Sequence, residues 1–211
     1  MIYDLSLVIT STLMVWPGDP KIDCEMIGDA VRVSRWTMGS HAGTHVDAPA
    51  HFIVNSATID QTDPTILIGP CRVIAIPDAD QDITVDALEG VNLAGVERLL
   101  IRTRNSRRWQ QDTTMFDTEF VGMTYDAAVR LLAHGIRLVG VDGPSIEPYE
   151  GDGAVHRLLL RAGVVIVETL ALANVPVGDY LLCCAPLKLG DADGAPARVF
   201  LLDGYCERGS V

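Results

Sequence analysis

Paired cysteines are the first thing this sequence lacks. Its five cysteines, Cys24, Cys71, Cys183, Cys184 and Cys206, are odd in number and form no Cys-x-x-Cys pair. That excludes a disulfide framework and a thiolate zinc site. Cys183 and Cys184 lie in an apolar run, where neighbouring strand residues face opposite ways, and they read as packing residues. Positive charge is also scarce: 16 Lys and Arg stand against 28 Asp and Glu, for a net charge of -12. Such a chain repels phosphate backbones, so nucleic acid is not expected as a partner. No apolar stretch approaches the roughly 20 residues of a membrane helix. The longest, around 163–167, is broken by Arg161 and Glu168. The start, Met1-Ile2-Tyr3-Asp4, has neither a basic n-region nor an apolar h-region. A signal peptide is therefore not expected, nor is a membrane partner, and the expected location is cytoplasmic. Internal repeats and low-complexity tracts are absent too.

What is present is a globular composition. With 211 residues, 48% apolar and 21% charged, residues 1–211 suit a single domain with an ample core. Strands are predicted at 3–9, 31–38, 71–76, 98–103, 136–141, 164–167, 180–184 and 198–202, rich in Val, Ile and Leu and bounded by Gly, Pro or Asp. Helices are predicted at 125–133, capped by Thr124 and stopped by Gly135, and at 154–162, stopped by Gly163. A short helix is predicted at 85–89, and an exposed loop or flap at 105–118. Strands outnumber helices, and β-α alternation appears only in the second half. These features favour an α/β fold with a mixed, barrel-like sheet and flanking helices.

The chain has only five histidines, and three of them, His41, His45 and His51, fall within eleven residues that also hold Asp47. Imidazole and carboxylate together are ligands for zinc, manganese or iron. All four positions are odd-numbered, so on an extended chain they would point to one side. Gly43 and Pro49 argue against a long regular element, and a strand end or loop that turns its side chains toward one point fits better. A lone histidine is ordinarily structural, but this density is hard to ascribe to packing. The small neighbours Ala42, Gly43, Ala48 and Ala50 suit a crowded site. His156, in the first turn of the second helix, and Glu168, at the end of the strand after it, are candidates to complete the site. A surface histidine and a strand-end carboxylate are the alternative for that pair.

The segment His41-Ala42-Gly43-Thr44-His45-Val46-Asp47-Ala48-Pro49-Ala50-His51 resembles the signature of the cyclase family of metal-dependent hydrolases. That family includes bacterial kynurenine formamidase (arylformamidase) and isatin hydrolase. The resemblance continues through Trp16-Pro17-Gly18-Asp19, Gly140-Val141-Asp142-Gly143-Pro144-Ser145, His156-Arg157, Glu168-Thr169-Leu170, Gly178-Asp179-Tyr180 and Ala185-Pro186-Leu187-Lys188-Leu189. It implies a swivelling-domain α/β fold, assembled as a homodimer or homotetramer. It implies two divalent ions, zinc first and manganese second. One would be held by His41, His45 and Asp47, the other by Asp47, His156 and Glu168. His51 would transfer protons, and Trp16 would line the substrate pocket, although packing within its own turn is an equal alternative.

The reaction implied is hydrolysis of an amide C–N bond in a small, aromatic substrate. The first expectation is N-formylkynurenine, cleaved to kynurenine and formate in tryptophan catabolism. Lactam (isatin), lactone or ester hydrolysis, and cyclase or dehydratase chemistry, are the alternatives within the family. A non-catalytic metal-binding scaffold is the alternative from another class, and His51 argues against it. Glu147, Glu150 and Asp152 would disfavour an anionic substrate if they face the pocket.

Overall fold

A computed structural model describes residues 1–204. Ten strands are present: β1 (Ile2–Asp4), β2 (Asp23–Ile27), β3 (Val33–Thr37), β4 (His45–Asp47), β5 (Ile68–Ala75), β6 (Arg98–Arg102), β7 (Leu138–Val141), β8 (Val165–Glu168), β9 (Gly178–Pro186) and β10 (Gly194–Leu202). The α-helices are α1 (Pro64–Leu67), α2 (Asn105–Gln111), α3 (Tyr125–Ala133) and α4 (Ala154–Arg161).

Strands β5, β6, β7 and β8 run parallel in that order, β4 joins β8 antiparallel, and β10 joins β4 antiparallel. Strand β9 then pairs antiparallel with both β10 and β5, which closes a ring of seven strands. Closure removes the free edges that an open sheet leaves unpaired. Strand β1 adds to β10 beyond β4. The mixed, barrel-like sheet expected from the sequence is therefore what forms.

Alternation along the strands fills two cores. Val46, Val73, Leu100, Leu138, Val165, Val167, Leu182, Cys184 and Val199 pack together inside the ring. Their neighbours Ile74, Leu99, Ile101, Val139, Val141 and Ile166 face outward and pack against Ala127, Ala128 and Leu131 of α3 and Val155, Leu159 and Leu160 of α4. Helix α3 has the predicted bounds: Thr124 accepts from the Ala127 N–H, and Gly135 follows with φ of 78°. Cys184 is buried and Cys183 half-buried, while Cys206 lies outside the described residues.

Several expectations need correction. The first strand stops at Asp4 rather than residue 9. The predicted short helix at 85–89 is a single 3-10 turn, Asp86–Leu88. The expected loop 105–118 opens with helix α2, whose Asn105 and Ser106 are buried. Its start is held by the carboxylate of Asp142, which accepts from the backbone N–H of Thr103 at 2.7 Å and of Ser106 at 3.0 Å, and from both hydroxyls. The strand predicted at 31–38 forms as β3, but its hairpin partner β2 has no counterpart among the predicted strands, and both are exposed along their length.

Gly140 points into the ring. A Cβ there would lie 2.5 Å from Leu100 Cδ2 and 2.7 Å from Leu170 Cδ1. Gly140→Val is expected to cost about 1–3 kcal/mol or more of stability, the range for overpacking a filled core. Urea denaturation checks this, and an unchanged midpoint would show spare room inside the barrel.

Candidate active site

Strand β4 carries the first part of the site. Val46 turns into the barrel, so His45 and Asp47 share the opposite, outer face. That register places His45 directly beside Glu168 of β8. The turn after Glu168 is unusual, because Thr169 has φ of 61°, a region β-branched residues rarely occupy. Two bonds hold it: the Thr44 hydroxyl donates to the Thr169 carbonyl at 2.7 Å, and the Thr169 N–H donates to the Gly143 carbonyl at 2.8 Å. Helix α4 packs over the same face and brings His156, buried, to Glu168.

Asp47 is the centre of the cluster. Its Oδ1 lies 3.0 Å from His41 Nδ1 and 3.4 Å from His45 Nε2, and its Oδ2 lies 3.8 Å from His156 Nε2. Glu168 places Oε2 3.3 Å from His45 Nε2 and Oε1 3.2 Å from His156 Nε2. The Ile146 N–H donates to Glu168 Oε1 at 2.6 Å. His45 Nδ1 lies 2.8 Å from the Gly43 carbonyl, an acceptor that leaves Nε2 to face the carboxylates. Asp47 Oδ2 is buried and has no hydrogen-bond partner among the described residues. In two groups, His41–His45–Asp47 and Asp47–His156–Glu168, one ligand-type atom from each residue falls within 4.8 Å of the others. The donors are nitrogen and oxygen only, a set that fits zinc, manganese or iron. The five residues expected as ligands are thus brought together around one shared carboxylate.

His51 ends the 3-10 turn Pro49–His51 and is partly exposed on the pocket wall. Its ring centroid is 4.0 Å from that of His41. Its Nδ1 is 3.4 Å from Asp193 Oδ2, and the same carboxylate oxygen lies 3.0 Å from His41 Nε2. Burial lowers the His51 pKa below the ordinary imidazole value, so the ring is neutral at neutral pH. The pocket is about 230 Å³ and is walled by Met14, Trp16, Phe52, Pro144 and Ser145. Trp16 packs edge-on to Phe116, with centroids 5.1 Å apart, and is 5.5 Å from Tyr149. Its aromatic contacts come from distant parts of the chain rather than from its own turn, and it lines the pocket.

Two carboxylates were not recognised as part of the site from the sequence. Asp193 stands at the end of a loop with no motif around it. Glu147 was weighed only as pocket lining, yet it is buried behind His156, with Oε2 2.8 Å from His156 Nδ1. Glu150 and Asp152 are exposed, and none of these three acids is part of the pocket wall.

Burial opposes charge on His45 and His156, but hydrogen bonds and attraction from Asp47, Glu168 and Glu147 outweigh it and push both pKa values up to about 10. In the same cluster, the imidazoles hold Asp47 and Glu168 below the ordinary carboxylate values despite burial. In protein freed of divalent cations by a chelator, the two imidazolium groups stabilise the fold fully below 6.5 and lose that effect as pH rises toward about 10. The carboxylates act in the opposite sense, and their contribution is lost in acid. The melting temperature of chelated protein is therefore expected to fall steadily from pH 6.5 to pH 10. A flat profile over that window would show that these charges are not coupled.

The cyclase family model matches residues 3–148. Kynurenine formamidase of Bacillus cereus (strain ATCC 14579) is 35% identical over 204 residues, which cover 94% of this chain and 95% of that protein. A solved structure described as a potential metal-dependent hydrolase with cyclase activity superposes with a TM-score of 0.85 at 34% identity, covering 95% of this chain and 96% of that one. Isatin hydrolase A from Labrenzia aggregata, bound to benzyl benzoate, has a TM-score of 0.79 at 23% identity over 95% of this chain and 93% of that one, a likeness of fold. The chain belongs to the cyclase family of metal-dependent hydrolases.

Proposed function

We propose that this chain is an amidohydrolase of the arylformamidase type, cleaving N-formylkynurenine to kynurenine and formate. The observation that carries the reading is the convergence of His41, His45, His156 and Glu168 on the buried, half-unpartnered carboxylate of Asp47. Similarity to kynurenine formamidase over nearly the whole chain supports the substrate class.

In this reading His41, His45 and Asp47 hold one divalent ion and Asp47, His156 and Glu168 a second, zinc first and manganese as the alternative. Ions bound there supply an activated water and a Lewis-acid hold on the carbonyl oxygen. The protein's own groups do the rest. Trp16, backed by Phe116 and Tyr149, offers a flat apolar face to the substrate's aromatic ring. His51 is neutral and stands at the pocket wall. It accepts a proton as water adds to the formyl carbon, and gives it to the nitrogen as the C–N bond breaks. Asp193 faces its Nδ1, which leaves Nε2 for the transfer.

The reading also includes one catalytic domain, a cytoplasmic location and a homodimer or homotetramer. Support for assembly comes from the β2–β3 hairpin, where Met26 and Trp36 are exposed on one face, since exposed apolar side chains grouped together mark interaction surfaces.

Purified protein should be analysed for metal and assayed on N-formylkynurenine, other aryl formamides, isatin and simple lactones, before and after chelation. Turnover of the formamides that disappears on chelation and returns with zinc or manganese is expected. No turnover on any formamide with full metal would sink the formamidase reading, and turnover of isatin or lactones alone would move it to those substrates. His51→Ala is expected to lose about 10²–10⁴-fold in kcat, the usual worth of a general acid–base group, with metal content kept. Loss of metal in that variant would make His51 a ligand instead.

A further inference from the structure

We infer that Glu147 is a positioning residue: its carboxylate dictates which ring nitrogen His156 presents to Asp47 and Glu168, and so sets the strength of the second cation subsite. The inference rests on the metal-dependent reading above.

Glu147 is 5% exposed, and both of its oxygens are engaged. Oε1 accepts from the Gly153 N–H at 2.6 Å, while Oε2 accepts from the His156 N–H at 3.2 Å and lies 2.8 Å from His156 Nδ1. A buried carboxylate is costly unless it is satisfied in this way. An ionised carboxylate is acceptor-only, so the ring proton must sit on Nδ1. The free lone pair of the neutral ring is then on Nε2, which faces Glu168 Oε1 at 3.2 Å and Asp47 Oδ2 at 3.8 Å. A lone pair directed at two carboxylates is repulsive unless a proton or a cation lies between them.

The same carboxylate also fixes the helix that carries His156. Gly153, at the start of α4, has no side chain to cap the helix. Glu147 takes over that role from six residues upstream, accepting two of the N–H groups that the first turn leaves unpaired. On the other side, Phe52 stacks on the His156 ring with centroids 4.2 Å apart and planes 16° apart. The position of the helix start and the ring's choice of nitrogen thus depend on one side chain.

Glu147→Gln separates these functions from bulk. If the amide oxygen keeps the His156 contacts, the NH2 group meets the Gly153 N–H, donor against donor. In the flipped amide, the NH2 group donates to Nδ1 and drives the ring proton to Nε2, the nitrogen needed by the cation. Partners of this type are worth about 10–100-fold in metal affinity.

The test is a zinc titration of the full chain against a chromophoric chelator, with thermal melting of the chelated protein in parallel. Wild type is expected to take up two ions, and Glu147→Gln to bind one unchanged and the other about 10–100-fold more weakly. Equal binding by both proteins overturns the inference, as does equal weakening at both sites. Wild type that binds neither zinc nor manganese overturns the metal reading itself. If Glu147→Gln does not fold, nitrogen NMR of the zinc-loaded wild type decides. A proton on His156 Nδ1 supports the assignment, and a bare Nδ1 overturns it.

Discussion

Everything in this site depends on the burial of one carboxylate, Asp47. Its side chain is 1% exposed, and an ionised group there is sustained only by opposite charge and hydrogen bonds close by. The fold supplies them from three directions. His45 comes from the same strand, His41 from the loop before it and His156 from a helix more than a hundred residues later. Glu168 adds a second negative charge to the same volume, which makes the surplus of positive partners obligatory. A cluster so dense in ligand atoms is a poor way to stabilise a protein, because removing any one partner leaves another buried and unpaired. Its persistence is better explained by function than by stability.

The barrel makes this arrangement possible. Closure through β9 and β10 fills the middle of the interior with aliphatic side chains, and the ligand cluster stands on the outer wall. On that wall, α3 and α4 cover most of the parallel strands with an apolar layer. The pairing of β4 with β8 lies where that layer gives way to the pocket. A period of two on a strand of only three residues sends Val46 inward and both His45 and Asp47 outward. A slip of one residue would reverse all three. The bond from Thr44 to the Thr169 carbonyl guards that register, because it ties the start of β4 to the turn that ends β8.

How much of this was legible depended on distance along the chain. Helix α3 is legible to its end residues because its cap, Thr124, and its stop, Gly135, flank it closely in the sequence. The seven-strand ring was legible in kind, through strands that outnumber helices, but not in order. The ligand cluster is legible because three of its members, His41, His45 and Asp47, fall within one short segment and the family resemblance along the rest of the chain points to His156 and Glu168. Helix α2 was hidden because Asp142, which holds its start, lies 36 residues from Ser106, and no local signal marks it. Strand β4 is only three residues long and is bracketed by Gly43 and Pro49, so the sequence alone points to a strand end or loop there. The partnership of Glu147 with His156 is hidden for a related reason: nothing in the local sequence marks it, and the contact forms only when helix α4 folds back over that loop.

The two buried imidazoles that meet Glu168 are built alike but not equally. Each has its Nδ1 held by an acceptor and its Nε2 turned to the carboxylates. For His45 the acceptor is the neutral carbonyl of Gly43, at 2.8 Å; for His156 it is the charged carboxylate of Glu147, also at 2.8 Å. A carboxylate draws the Nδ1 proton more strongly than a carbonyl does, and so leaves more electron density on the opposite nitrogen. The carbonyl belongs to the backbone and no substitution of Gly43 removes it, whereas the carboxylate is a side chain open to mutation. One half of the cluster is therefore fixed by the course of the chain, and the other is set by a single residue.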